Sequence, residues 1–187
     1  MGFTREQLER YRNATVPDLL GGECRLLFVG INPGLWTAAT QTHFCHPSNR
    51  FYPALRIAGL IDFEVDSSMG LTHSQREAFV GRGMGITNLV PRATVRASEL
   101  SSVELEEGGD RLERRVAAVQ PEVVAVAGIS AYRTAFGMAG ALPGPQPGDL
   151  SGARVWVVPN PSGLNAHETI ATLADWYRRV ADAAGVR

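Results

Sequence analysis

Four short apolar runs constrain this chain more than any other feature. They lie at residues 25–31, 84–89, 122–127 and 154–158, and β-branched side chains recur in them. Runs of that length and content read as strands buried on both faces. Stretches with helical spacing separate them, at residues 49–58, 74–80, 101–119 and 131–138. Two more helices are expected at the ends. Residues 4–12 open on a capping-box pattern of Thr4 and Gln7, and residues 167–183 place Ile170, Leu173, Trp176 and Val180 on one face. Strands alternating with helices make a parallel sheet covered on both sides. The fold class is therefore α/β: a three-layer α/β/α sandwich around a four-stranded parallel sheet. Residues 32–48 read as loop, and residues 140–148 as a Pro/Gly turn region too short for a linker. The chain of 187 residues is long enough for one domain, residues 1–187, and too short for two.

In an open parallel sheet the loops at the carboxyl ends of the strands converge on the ligand crevice. Two loops here are rich in Gly, Pro and Asn. One follows the first strand through Ile31, Asn32, Pro33 and Gly34 and continues to Phe44, Pro47, Asn49 and Arg50. The other follows the last strand as Asn160-Pro161-Ser162-Gly163-Leu164-Asn165. Together they predict one composite site. Asn32 directly follows a strand, so its amide can project into the crevice and orient a water; an Asn before a proline also caps turns. Phe44 is an aromatic in a polar loop, and Leu164 is apolar at a polar loop tip. Each either serves the site or folds back onto the core. Arg92 and Arg96 lie in an irregular basic segment, while Glu104, Glu106 and Glu107 read as a solvated helix face.

The formal charge of −1 provides no overall attraction to nucleic acid, so any such affinity must be local. All 18 basic residues are Arg. The two cysteines, Cys24 and Cys45, are too few for a four-thiolate iron–sulfur cluster, and no disulfide is expected between them in a reducing compartment. His43, Cys45 and His46 offer three potential ligands within four residues, without a second cluster, so no metal is expected. No apolar run approaches the roughly 20 residues of a membrane span, and the first residues have no signal-peptide core. A cytoplasmic monomer without membrane contact is the expectation.

The motifs Gly30-Ile31-Asn32-Pro33-Gly34-Leu35, His46-Pro47-Ser48-Asn49-Arg50-Phe51, Gly85-Ile86-Thr87-Asn88-Leu89-Val90 and Asn160 to Leu164 occur in this order. In sequence and spacing the set resembles the mismatch-specific uracil-DNA glycosylase and thymine-DNA glycosylase family, over roughly residues 24–182. The resemblance implies the uracil-DNA glycosylase fold, with strand order 2-1-3-4. It implies hydrolytic excision of uracil, and of thymine or ethenocytosine, opposite guanine in double-stranded DNA, with no cofactor. Asn32 then holds the nucleophilic water. Ile31, Gly34, Thr37, His43 and Phe44 surround the base, with Phe44 stacking on it and the backbone N–H groups of Ile31 and Phe44 facing its carbonyls. Asn49, Arg50, Arg92, Arg96, Asn160, Ser162, Gly163, Leu164 and Asn165 contact DNA, with Leu164 filling the space that the flipped base leaves.

Two positions depart from the family pattern: Gln41 stands where relatives carry Gly, and Ala166 where some carry a basic residue. The absence of lysine removes the usual Schiff-base nucleophile and implies a monofunctional enzyme. Two alternatives stay open. One is a broader uracil glycosylase that also acts on A:U pairs and single strands, and the other is a lesion-binding protein without catalysis.

Overall fold

The computed structural model describes residues 2–186. Its sheet has five strands: β1 (Leu26–Gly30), β2 (Met84–Asn88), β3 (Val123–Ala127), β4 (Gly144–Leu150) and β5 (Ala153–Val158), in the order β2-β1-β3-β5-β4. The pairings of β1 with β2 and β3, and of β3 with β5, are parallel, and β4 runs antiparallel beside β5. The helices are α1 (Arg5–Glu9), α2 (Leu35–Thr40), α3 (Phe51–Ile57), α4 (His73–Gly81), α5 (Ser102–Val119), α6 (Ile129–Phe136) and α7 (Ile170–Ala184).

Successive residues of β1 serve opposite faces. Leu26 and Phe28 pack with Phe51, Leu55 and Tyr177 from α3 and α7, while Leu27 and Val29 pack with Leu112, Val116 and Tyr132 from α5 and α6. Both faces are covered, so a strand that alternated apolar with polar would bury half its polar groups unpaired. The near-continuous apolar runs answer that constraint. No helix among the described residues is long and apolar enough to cross a membrane.

Three sequence expectations need correction. The sheet has five strands, not four, because part of the 140–148 turn region and the residues after it form β4. Proline lacks the ladder N–H, but an outer edge does not require it, so Pro145 and Pro147 are compatible with this strand. The hairpin signal was the Ser151-Gly152 pair, both with positive φ (50° and 91°), which joins Leu150 to Ala153. Within the expected loop 32–48, residues 35–40 form α2, entered at Gly34 and closed by Gln41 in the left-handed conformation. On α7 the fully buried aromatic is Tyr177. Trp176 is half-buried and its ring lies 4.5 Å from the Arg179 guanidinium.

Candidate active site

A cavity of about 310 Å³ opens where the parallel strands end. Ile31 follows β1, Asn88 ends β2, Ala127 ends β3 and Asn160 follows β5, and all four line it. Strand order reverses across β1: the chain passes from β1 to β2 on one side and then returns from β2 past β1 to β3 on the other. Ligand crevices in open α/β sheets form at such switch points. The volume falls in the range of small-ligand sites.

Asn32 is half-buried in the cavity wall. Its Nδ2 lies 2.7 Å from Thr94 Oγ1, 3.0 Å from the Arg92 carbonyl and 3.2 Å from the Pro33 carbonyl. A backbone carbonyl only accepts, so the nitrogen end must face these groups. Thr94 donates its own hydroxyl hydrogen to the Arg96 carbonyl at 2.9 Å, which leaves its oxygen to accept from Asn32. The carboxamide is thereby oriented. Its oxygen is the end left for the cavity, where it can accept a hydrogen bond from water.

Phe44 takes a positive φ of 56° and stacks on Phe51, with ring centroids 4.3 Å apart. It packs against the core and also lines the cavity. Gly30 makes this arrangement possible. A Cβ at that position would stand 2.3 Å from Asn88 Oδ1 and 3.2 Å from Phe44 Cζ. Thr37, buried on α2, adds a methyl-bearing wall. Gln41, where the resemblance led to an expectation of Gly, adopts the left-handed conformation (φ 50°), and its Nε2 donates to the Ala38 carbonyl at 2.8 Å. The turn therefore forms with a side chain present.

The second loop is closed by its own amides. Asn160 Oδ1 accepts from the Ser162 N–H at 2.9 Å, and Asn165 Nδ2 donates to the Asn160 carbonyl at 3.0 Å. Gly163 presses against the first loop: a Cβ there would stand 2.6 Å from Ser48 Oγ and 2.7 Å from the Ser48 carbonyl. Leu164 is 89% exposed and lines the cavity, so it is not part of the core.

The family model of the uracil DNA glycosylase superfamily matches residues 17–183. The chain belongs to the uracil DNA glycosylase superfamily. A candidate uracil DNA glycosylase from Methanosarcina acetivorans, solved by solution NMR, shares the fold: TM-score 0.58, 14% identity, 91% of this chain and 98% of that chain covered. Membership makes the chain a DNA glycosylase, a hydrolase of the N-glycosidic bond that acts on uracil in DNA repair.

In this glycosylase the three expected phosphate-binding arginines are in different situations. Arg50 holds the second loop: its guanidinium donates to the carbonyls of Glu168, Ser162 (2.5 Å) and Asn165 (2.7 Å). Arg92 grips Glu104 through Nε (2.5 Å) and a terminal nitrogen (3.1 Å), and the pairing holds the Glu104 carboxyl down at about 2. A phosphate contact by either side chain competes with these bonds. The Glu104 side chain is thus a strut behind the segment that orients Asn32, rather than part of a free solvated face. Arg96 is exposed, and among the described residues no carboxylate pairs with its guanidinium. Asn49 lies just before α3, its Oδ1 accepting from the Phe51 N–H at 2.9 Å, and it also lines the cavity. Gly34 lines the cavity as well.

His43 is buried, with Nε2 2.9 Å from the Pro17 carbonyl and Nδ1 3.0 Å from Asn88 Nδ2. Burial, reinforced by the Arg76 charge, pushes its imidazole down to about 4. Cys45 Sγ meets the Ser67 carbonyl, and His46 Nδ1 meets Ser48. Each of the three potential ligands thus has its own protein partner, and no metal-binding group of three or more such residues gathers among the described residues. Sequence reasoning left Thr94 and Glu104 out of the site and reached Asn88 only as a support of the pocket. Asn88 was visible as the polar residue that ends an apolar strand motif. Thr94 and Glu104 carried no local signal of a role at the site, because their partners there lie 62 and 12 residues away; locally Glu104 reads only as the third helical residue of the α5 capping box with Ser101.

Proposed function

We propose that this glycosylase excises uracil mispaired with guanine, flipping the nucleotide into the cavity and leaving an abasic site. The observation that carries the reading is the Asn32 carboxamide, clamped by its nitrogen with its oxygen end left to the cavity. An amide oxygen places a water but is a poor base. Among the described residues, no carboxylate lines the cavity to activate that water. Such a site suits a good leaving group and a nucleotide that is cheap to extrude, and a mispaired uracil is both. Phe44 then stacks on the pyrimidine, and Asn88 meets its Watson–Crick edge. The chain has no lysine to attack the sugar, in keeping with a monofunctional hydrolase.

The test is single-turnover cleavage of G:U, G:T, A:U, G:ethenocytosine and single-stranded uracil, read by alkali scission at the abasic product. G:U is expected to be cut fastest. Equal rates on A:U and single strands favour the broader glycosylase, and binding without cleavage favours the lesion-binding protein. The same panel tests the wall at Thr37. If its methyl crowds the pyrimidine 5-position, Thr37→Ala raises the G:T rate relative to G:U by about tenfold, within the range one methyl-sized group commands in an apolar pocket. An unchanged ratio removes Thr37 from the wall.

Leu164 fills the stack that the extruded base vacates. Leu164→Ala is expected to slow duplex cleavage by about tenfold, equivalent to about 1.4 kcal/mol, and to speed release of the abasic product. Single-stranded uracil, which has no stack to hold open, is affected much less. Because Leu164 is 89% exposed, the change barely touches stability. Equal losses on duplex and single strand reject the wedge.

A further inference from the structure

Uracil and cytosine present opposite patterns on the edge that Asn88 meets. Uracil has a donor at N3 and an acceptor at O4, whereas cytosine has an acceptor at N3 and a donor at N4. A carboxamide can match either pattern, depending on which end points which way. Something must therefore set the Asn88 side chain before a base arrives.

The hydrogen-bond partners of His43 decide that orientation. Nε2 of His43 lies 2.9 Å from the Pro17 carbonyl, which only accepts, so Nε2 carries the hydrogen. In a neutral imidazole Nδ1 is then bare and only accepts. It lies 3.0 Å from Asn88 Nδ2, which donates to it. Turning Asn88 over would set its oxygen against that lone pair. Asn88 Oδ1 instead sits over Gly30, close to where a Cβ would also meet the Phe44 ring. Nδ2 keeps its second hydrogen for a base. The Pro17 segment is itself held in place, because Thr15 bridges to Arg92 and Leu19 bridges to Ile86 of β2. His43 is 3% exposed as a residue, so water has little access to its ring nitrogens. Burial keeps it neutral down to about pH 4, which preserves the bare Nδ1.

We propose that His43 is a positioning residue for base choice: by holding one tautomer between the Pro17 carbonyl and Asn88, it presents an acceptor to pyrimidine N3–H and disfavours cytosine. This rests on the proposed uracil-excising site and names what orients its base-reading amide. A site built to hydrogen-bond one pattern leaves its polar groups unpaired with the other, which is how large discrimination arises.

The experiment compares affinity for two uncleavable duplexes. One carries 2′-fluoroarabinouridine opposite guanine and the other 2′-fluoroarabinocytidine opposite adenine, so both targets are mispaired. The variants are His43→Leu, which removes the acceptor, and His43→Asn, whose amide oxygen can replace Nδ1. Wild type is expected to bind the uridine duplex more tightly by tenfold or more. His43→Leu brings the ratio of dissociation constants close to one, and His43→Asn recovers most of the preference. A merely structural role lowers both affinities together and leaves the ratio unchanged. That outcome, or a ratio that His43→Asn fails to restore while melting normally, overturns the proposal. Wild-type cleavage of ordinary G:U duplex checks the underlying function separately: silence there rejects the function itself, and with it this reading.

Discussion

Asn32→Ala lowers the single-turnover rate on G:U duplex by about 10²–10⁴, the range for a positioned group that handles the attacking proton donor. The size of the loss follows from how the residue is held. Its nitrogen is bound to the Arg92 and Pro33 carbonyls and to Thr94, so the oxygen has little freedom to wander. Catalysis by placement depends on that restriction, since a misplacement of about 1 Å can cost about 10² in rate. The alanine variant keeps the fold, because Asn32 is only half-buried and lies on the cavity wall rather than in the apolar core. Affinity for duplex containing an abasic product changes little, because Leu164 and the second loop are untouched. Near-normal cleavage by Asn32→Ala removes the residue from the chemistry.

Gly30→Ala is expected to reduce uracil excision by about 10² or more. The added methyl stands 2.3 Å from Asn88 Oδ1 and 3.2 Å from Phe44 Cζ, so both must move, and both line the cavity. Neither shift is free. Asn88 is tied to His43, and Phe44 is stacked on Phe51. The stability cost of forcing a methyl into packed surroundings is about 1–3 kcal/mol, measured by urea unfolding. The two readouts separate site from fold. A variant that loses stability and keeps its rate shows that the base does not rest against Asn88 and Phe44.

Asn32→Ala and Gly30→Ala act on the same cavity by different routes, and the difference appears in binding. Asn32→Ala leaves Phe44 and Asn88 in place, so capture of an uncleavable uridine analogue is expected to survive. Gly30→Ala disturbs those groups and weakens capture along with the rate. Equal capture by both variants shows that Asn88 and Phe44 contribute little to holding the base.

The local chain determined what depends on neighbours in sequence. The apolar run at β1, buried on both faces, made a central strand legible, and Thr4 with Gln7 made the start of α1 legible, because strand burial and helix caps act within a few residues. The position of Asn32 just past β1 was readable for the same reason, as was the polar tip that carries Leu164. The order of the parallel strands came from resemblance rather than from periodicity, since pairing is not a local property. Only the tertiary structure decided what the long side chains do. Arg50 meets carbonyls more than 110 residues away, and Arg92 meets Glu104 across a turn, so two guanidiniums expected at phosphate also brace the protein's own segments. A guanidinium on a flexible stem has no preferred partner in sequence; the acceptors that folding brings within reach select one. The same holds for His43, whose tautomer is set by Pro17 and Asn88, 26 and 45 residues distant. Edge strand β4 stayed hidden because its prolines and glycines signal a turn, and only an open sheet edge beside β5 gives them a strand to join.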